Sequence, residues 1–215
     1  MLALKKKEQK LEKPNVLFII ADDLADRLAC SGDALAKTPN LDKLAESGVL
    51  FTNAFCQYPS CGPSRSSMLT GLYPWENGHI TNSPKMFNEE VPDIISLPRL
   101  FRDHGYFTAR VGKIFHMGIP GGIGGPGGDD TLAWNVTVNN TGYDASLEVW
   151  ENATHVGSEI GPGARVVYAA TEIEDEEMAD GQGLQAAVDL LKEHSSKKQE
   201  SLFSWLMEST VPTLP

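Results

Sequence analysis

The longest unbroken apolar run in the chain is Val16-Leu17-Phe18-Ile19-Ile20-Ala21. It is continuous rather than alternating, which is the pattern of a strand covered on both faces of a parallel sheet. Asp22 and Asp23 follow it directly. Thr38 then stands as an N-cap with Pro39 at the first helical position, Leu41, Leu44 and Ala45 form an apolar face, and Gly48 ends the helix. Residues 49–55 read as a second strand, completing a β-α-β alternation. A further helix is predicted to start at Pro63 and stop at Gly71, and another lies between Ser96 and His104 with Gly105 as terminator. Residues 107–111 read as a strand.

Beyond this point the periodicity fades. Residues 118–128, GIPGGIGGPGG, hold neither helix nor strand and predict a flexible or ligand-wrapping loop. Residues 129–170 are polar and turn-rich and read as irregular structure. Glu172, Glu174, Asp175, Glu176, Glu177 and Asp180 form an acidic stretch, read as a solvated loop ahead of a helix over 183–194.

Composition sets bounds on what these elements can build. A chain of 215 residues, 41% hydrophobic and 22% charged, suffices for one sizeable α/β domain or two small ones. Eighteen Lys and Arg against 29 Asp and Glu leave a net charge of -11, which argues against nucleic acid and membrane surfaces as partners. An anionic substrate therefore needs a locally basic pocket. Three cysteines, Cys30, Cys56 and Cys61, are too few for a disulfide framework and lack zinc-ligand spacing, so the redox compartment stays open. Residues 1–14 are a charged tail without the apolar core of about 7–15 residues that a secretory signal requires, and no apolar run is long enough to span a bilayer. The localisation is unknown from the sequence.

The stretch Cys61-Gly62-Pro63-Ser64-Arg65-Ser66-Ser67-Met68-Leu69-Thr70-Gly71 carries the candidate chemistry. A cysteine just ahead of a Pro-initiated helix lies where backbone N–H groups and the helix dipole favour an anionic or oxygen-rich centre, and Arg65 is one turn away. Such a cysteine can be a low-pKa thiolate, a metal ligand, the precursor of a modified residue, or a small buried hydrophobe.

The pattern C-x-P-S-R followed by L-T-G resembles the sulfatase signature. N-V-L-F-I-I-A-D-D-L at 15–24, T-P-N-L-D-K-L-A at 38–45 and G-Y-F-T-A-R-V-G-K-I-F-H at 105–116 agree with it in order, and the last is most similar to the iduronate-2-sulfatase branch. The resemblance implies an alkaline-phosphatase-like α/β/α sandwich, present here as its incomplete N-terminal part over 15–200, and hydrolysis of a sulfate ester. In that family the signature cysteine is oxidised to formylglycine by a formylglycine-generating or maturase enzyme. One hydroxyl of the hydrated aldehyde attacks sulfur, and the second collapses the sulfated intermediate. By the same resemblance Asp22, Asp23 and the residue derived from Cys61 are metal ligands, the metal being Ca2+. Arg65 steadies the diol, Lys113 pairs with the substrate sulfate as a point charge, and His116 hydrogen-bonds or moves a proton near the diol. The residues suit these roles, since two adjacent carboxylates at a strand's carboxyl end offer hard oxygen donors in the crevice where open α/β sheets bind ligands. Lys113 and His116, spaced i and i+3 after a strand, can both reach that crevice. His79, just past the signature helix, is open between a pocket-lining residue and a plain loop residue.

The favoured substrate is a sulfated carbohydrate or small molecule. The rivals are a phosphate or phosphonate ester hydrolase of the same fold, and an inactive remnant. Two aspartates and one formylglycine do not fill a calcium shell of about 6–8 oxygens. The later Asp-His or Asp-Asn pair and the downstream Lys of the family have no match before Pro215. The family's P-F-F-L...Y-x-P-H segment is also absent where it is expected, at 201–215. Read from the third base of permitted codons, that tail yields P-F-F-L-A-Y-G-V-Y-R-P-H-T-T, so it is expected to be an out-of-frame or divergent tail. Loss of later strands is expected to leave an apolar sheet edge exposed.

Overall fold

The computed structural model describes residues 13–22, 24, 26–83, 85–118, 122–143, 146, 154–156, 166–168, 172–195 and 202–208, the last strand and the two segments before 172 by their backbone alone. In chain order the regular elements are β1 (Val16–Ala21), α1 (Pro39–Ser47), α2 (Cys61–Thr70), α3 (Pro74–Asn77), α4 (Phe87–Glu90), α5 (Leu97–Asp103), β2 (Phe107–Val111), β3 (Val136–Val138), β4 (Thr154–Val156), β5 (Val166–Tyr168), α6 (Ala179–Ser195) and β6 (Leu202–Glu208). A four-stranded parallel sheet has the order β1-β6-β2-β3, and β4 and β5 form a separate antiparallel pair.

The register sorts the side chains onto two faces. Phe18 lies level with Trp205 and Arg110, while Leu17 and Ile19 lie level with Ala109 and Val111. On the Phe18 face, Val16, Phe18 and Ile20 pack against a core of Leu69, Phe87, Val91, Ile114, Phe115, Ala133 and Trp134, which brings α2 and α4 against the sheet. On the opposite face α6 lies over β6 and β2, with the His194 ring stacked on Phe107 at 3.8 Å between centroids. Burial of such apolar side chains stabilises by about 1.5–3 kcal/mol each. Buried polar pairs on the Phe18 face tie β2 to the 129–134 segment. Arg110 Nε donates to Asp129 Oδ2 at 2.6 Å, and Trp134 Nε1 donates to Asp129 Oδ1 at 2.8 Å.

Several expectations are corrected. Residues 49–55 form no strand: Val49, Leu50, Phe51 and Phe55 are exposed, and among the described residues no strand pairs with them. The parallel partner of β1 is β6, which lies between β1 and β2, and not residues 49–55. The signature helix begins at Cys61, two residues before the proline, because the Pro63 ring is accommodated in the first turn, where N–H groups have no intrahelical acceptor. The helix expected at 183–194 starts at Ala179. Within 129–170, β3, β4 and β5 are regular. The acidic stretch is an exposed single turn at Asp175–Glu177 ahead of α6, as read. β1 lies at an edge of the sheet, with Leu17 and Ile19 46% and 57% exposed. No helix among the described residues is long and apolar enough to cross a membrane.

Candidate active site

Asp22, Arg65 and Lys113 meet at the carboxyl ends of β1 and β2. Asp22 follows β1 immediately, and Lys113 follows β2 after Gly112, whose φ of 69° turns the chain back across the strand ends. Arg65 Nη2 donates to Asp22 Oδ1 at 2.8 Å, and Lys113 Nζ donates to Asp22 Oδ2. Arg65 Nη1 also donates to the carbonyls of Ile114 at 2.9 Å and Lys113 at 3.3 Å. All three side chains are buried. Burial pushes the Asp22 carboxyl up, but the Arg65 and Lys113 cations outweigh it and hold the group below the usual carboxylate range. Among the described residues two cations thus meet one carboxylate, on a chain that is otherwise strongly acidic.

Cys61 is one turn before Arg65 on the same side of α2 and is partly exposed. The residue preceding it, Ser60, makes no side-chain cap to α2. The cap comes from Asn82, whose Oδ1 accepts the Gly62 N–H at 2.8 Å and the Ser60 hydroxyl at 3.0 Å. Asn82 was invisible to local sequence reading because a cap supplied from 20 residues away carries no signature at the helix start. The Gly-rich loop closes over His116 in the same way: Gly128 N donates to the His116 carbonyl at 2.7 Å, and a Cβ on Gly127 would lie 2.7 Å from that oxygen. Residues 119–121 of this loop lie outside the described residues.

His116 is half-buried, and its Nδ1 has no hydrogen-bond partner among the described residues. Desolvation, with the Lys113 and Arg65 cations, holds its ring below the ordinary histidine value of 6.5. The ring is thus disposed to be neutral. Asp23 lies outside the described residues. Among those described, no three His, Cys, Asp or Glu side chains converge to hold a metal ion. Both oxygens of Asp22 are engaged by cations, so the described members of the donor set, Asp22 and Cys61, do not fit a calcium ion as arranged.

Arg65 and Lys113 form one cluster with Asp22, with His116 in its field and Cys61 one helical turn away. The arrangement can hold an anion at the strand ends and offer it a neutral imidazole. These residues also lie within a family match. The sulfatase family model matches residues 14–209. The chain is 42% identical over 130 residues to a sulfatase of Formosa agariphila, covering 58% of this chain and 26% of that protein. It is 43% identical over 105 residues to the Homo sapiens iduronate 2-sulfatase, covering 49% of this chain and 19% of that one. It therefore spans about a quarter or less of the length of these relatives. A solved structure from work on glycosaminoglycan metabolism by Bacteroides thetaiotaomicron superposes with a TM-score of 0.63 at 22% identity, covering 94% of this chain and 52% of that one. The phosphonate monoester hydrolase of Agrobacterium radiobacter superposes with a TM-score of 0.62 at 22% identity, covering 91% and 40%. At these identities the superpositions establish the shared alkaline-phosphatase-like α/β fold, while the match over most of the chain establishes descent: this chain belongs to the sulfatase family.

Proposed function

We propose that this chain carries part of the catalytic site of a sulfuric ester hydrolase acting on a carbohydrate sulfate. The observation that carries the reading is the buried Arg65–Asp22–Lys113 cluster beside Cys61. A sulfate ester resists attack because its oxygens repel a nucleophile, so its hydrolysis requires charge neutralisation beside a positioned hydroxyl. Formylglycine made from Cys61 by a maturase supplies that hydroxyl. Arg65 orients the residue-61 side chain, Lys113 receives the sulfate, and the neutral His116 ring takes or returns a proton at the diol. The carbohydrate class draws support from the relative named iduronate 2-sulfatase. Ca2+ binding by Asp22, Asp23 and residue 61 would require Asp22 to exchange its cationic partners for the ion.

Mass spectrometry of the Cys61 peptide from a maturation-competent host tests the modification. Loss of sulfur with gain of an aldehyde is expected, and an unmodified thiol overturns it. Paired aryl sulfate and aryl phosphate assays test the reaction. Preferential turnover of the sulfate is expected, whereas preference for the phosphate transfers the reading to phosphate or phosphonate esters, and turnover of neither marks an inactive remnant.

A further inference from the structure

Gly62 directly follows Cys61 in the first turn of α2, and the loop containing residues 79–82 is folded against it. A Cβ at position 62 would lie 2.8 Å from Thr81 O, 3.0 Å from Asn82 Oδ1 and 3.0 Å from His79 Nε2. Asn82 is there as the helix cap. His79 has no such structural task. It is 6% exposed, and neither of its ring nitrogens makes a directed hydrogen bond among the described residues. Its Nδ1 lies 2.9 Å from Glu90 Oε2. Burying an imidazole without a directed hydrogen bond costs free energy.

We propose that the Glu90–His79 pair is a positioning device for Cys61. Glu90 anchors the imidazole from α4. The Nε2 edge, seated on the bare Cα of Gly62, fixes the first turn of α2 and with it the direction of the residue-61 side chain. Glycine at 62 is the complement of this wedge, since any Cβ there meets the ring. A rigid ring on the backbone next to the reacting residue suits a site in which a misplacement of about 1 Å can cost about 100-fold in rate. The catalytic consequence rests on the sulfatase reading, whereas the geometric one does not.

The test uses the full chain made without a maturase, so that Cys61 remains a thiol. Its alkylation by iodoacetamide is followed by mass spectrometry relative to exposed Cys56, which serves as internal reference on the same peptide. His79→Ala and Gly62→Ala are each expected to change the Cys61:Cys56 rate ratio severalfold. Combined, they are expected to change it by less than the product of the two, because both act at one contact. His79→Gln, which keeps a nitrogen near the Nε2 position, is expected to restore the ratio, and His79→Asn is not. An unchanged ratio in a folded His79→Ala chain, or multiplicative effects of the two changes, overturns the proposal. In chains carrying the aldehyde, His79→Ala is expected to lower kcat for an aryl sulfate with KM nearly unchanged. If the wild-type chain turns over no sulfate, the sulfatase reading falls while the thiol ratios still decide the positioning role.

Discussion

Arg65 donates to Asp22 at 2.8 Å from one guanidinium nitrogen and to the Ile114 carbonyl at 2.9 Å from another, so a single side chain ties α2 to the segments that follow β1 and β2. The connection spans 43 residues in one direction and 49 in the other, which makes it a tertiary clamp as well as a charge pair. Arg65→Ala removes a cationic partner of the buried Asp22 carboxylate and is expected to cost about 3 kcal/mol, the lower end for breaking a buried ion pair. Arg65→Lys is expected to recover little, because an ammonium cannot reach the carboxylate and both carbonyls in the guanidinium geometry. Urea midpoints check both, and wild-type stability in Arg65→Ala would remove the clamp from the account.

The Asn82 cap has its own signature. Asn82→Ala is expected to destabilise by about 1 kcal/mol, while Asn82→Asp, which keeps the acceptor and adds a negative charge at the α2 N-terminus, is expected to retain most of the stability. Thermal unfolding of the two variants checks this. Equal losses in both would show that the amide donor, not the acceptor, carries the contact.

His116 predicts a pH dependence of stability. Its folded-state pKa lies below 6.5. Between the two values the unfolded chain binds the proton and the folded one does not, so this group makes stability fall as pH drops below 6.5 and ceases to act below the folded-state pKa. His116→Asn is expected to flatten that part of the profile. Urea titrations from about pH 7 to about pH 5 measure it, and identical slopes in variant and wild type would be the contrary result.

Leu17 and Ile19 predict self-association. They are exposed on edge strand β1, on the face that α6 covers over β6 and β2. An open edge with apolar side chains is a template for another chain. Sedimentation velocity is expected to show concentration-dependent association that Ile19→Lys reduces, with the unfolding free energy changed by no more than about 0.5 kcal/mol. Association undiminished in the variant would place the sticky surface elsewhere.

How far these features can be read without coordinates depends on whether their causes are local. β1, β2 and α5 were legible because a continuous apolar run, a Ser96 cap and a Gly105 stop are each written within a few residues. The approach of Asp22, Arg65 and Lys113 followed from placing motifs at strand ends, yet their direct pairing did not, because each reads equally well as a ligand for something else. Residues 49–55 misled because apolar content without a partner strand does not make a sheet. The place of β6 between β1 and β2 is a long-range pairing that no local pattern encodes, and the same holds for the Asn82 cap.

The interior position of β6 also sets an order of events. Val16 pairs with Phe203, and Phe107 pairs with Leu202, so the strand that joins the two halves of the sheet is made last. During synthesis at about 5–20 residues per second, β1 waits roughly 10–40 s for its neighbour. Over that interval Arg65 and Asp22 have no completed sheet to hold them in register. The sheet that holds the active-site cluster therefore closes only after β6 has been made, and until then a nascent chain is exposed to strand mispairing.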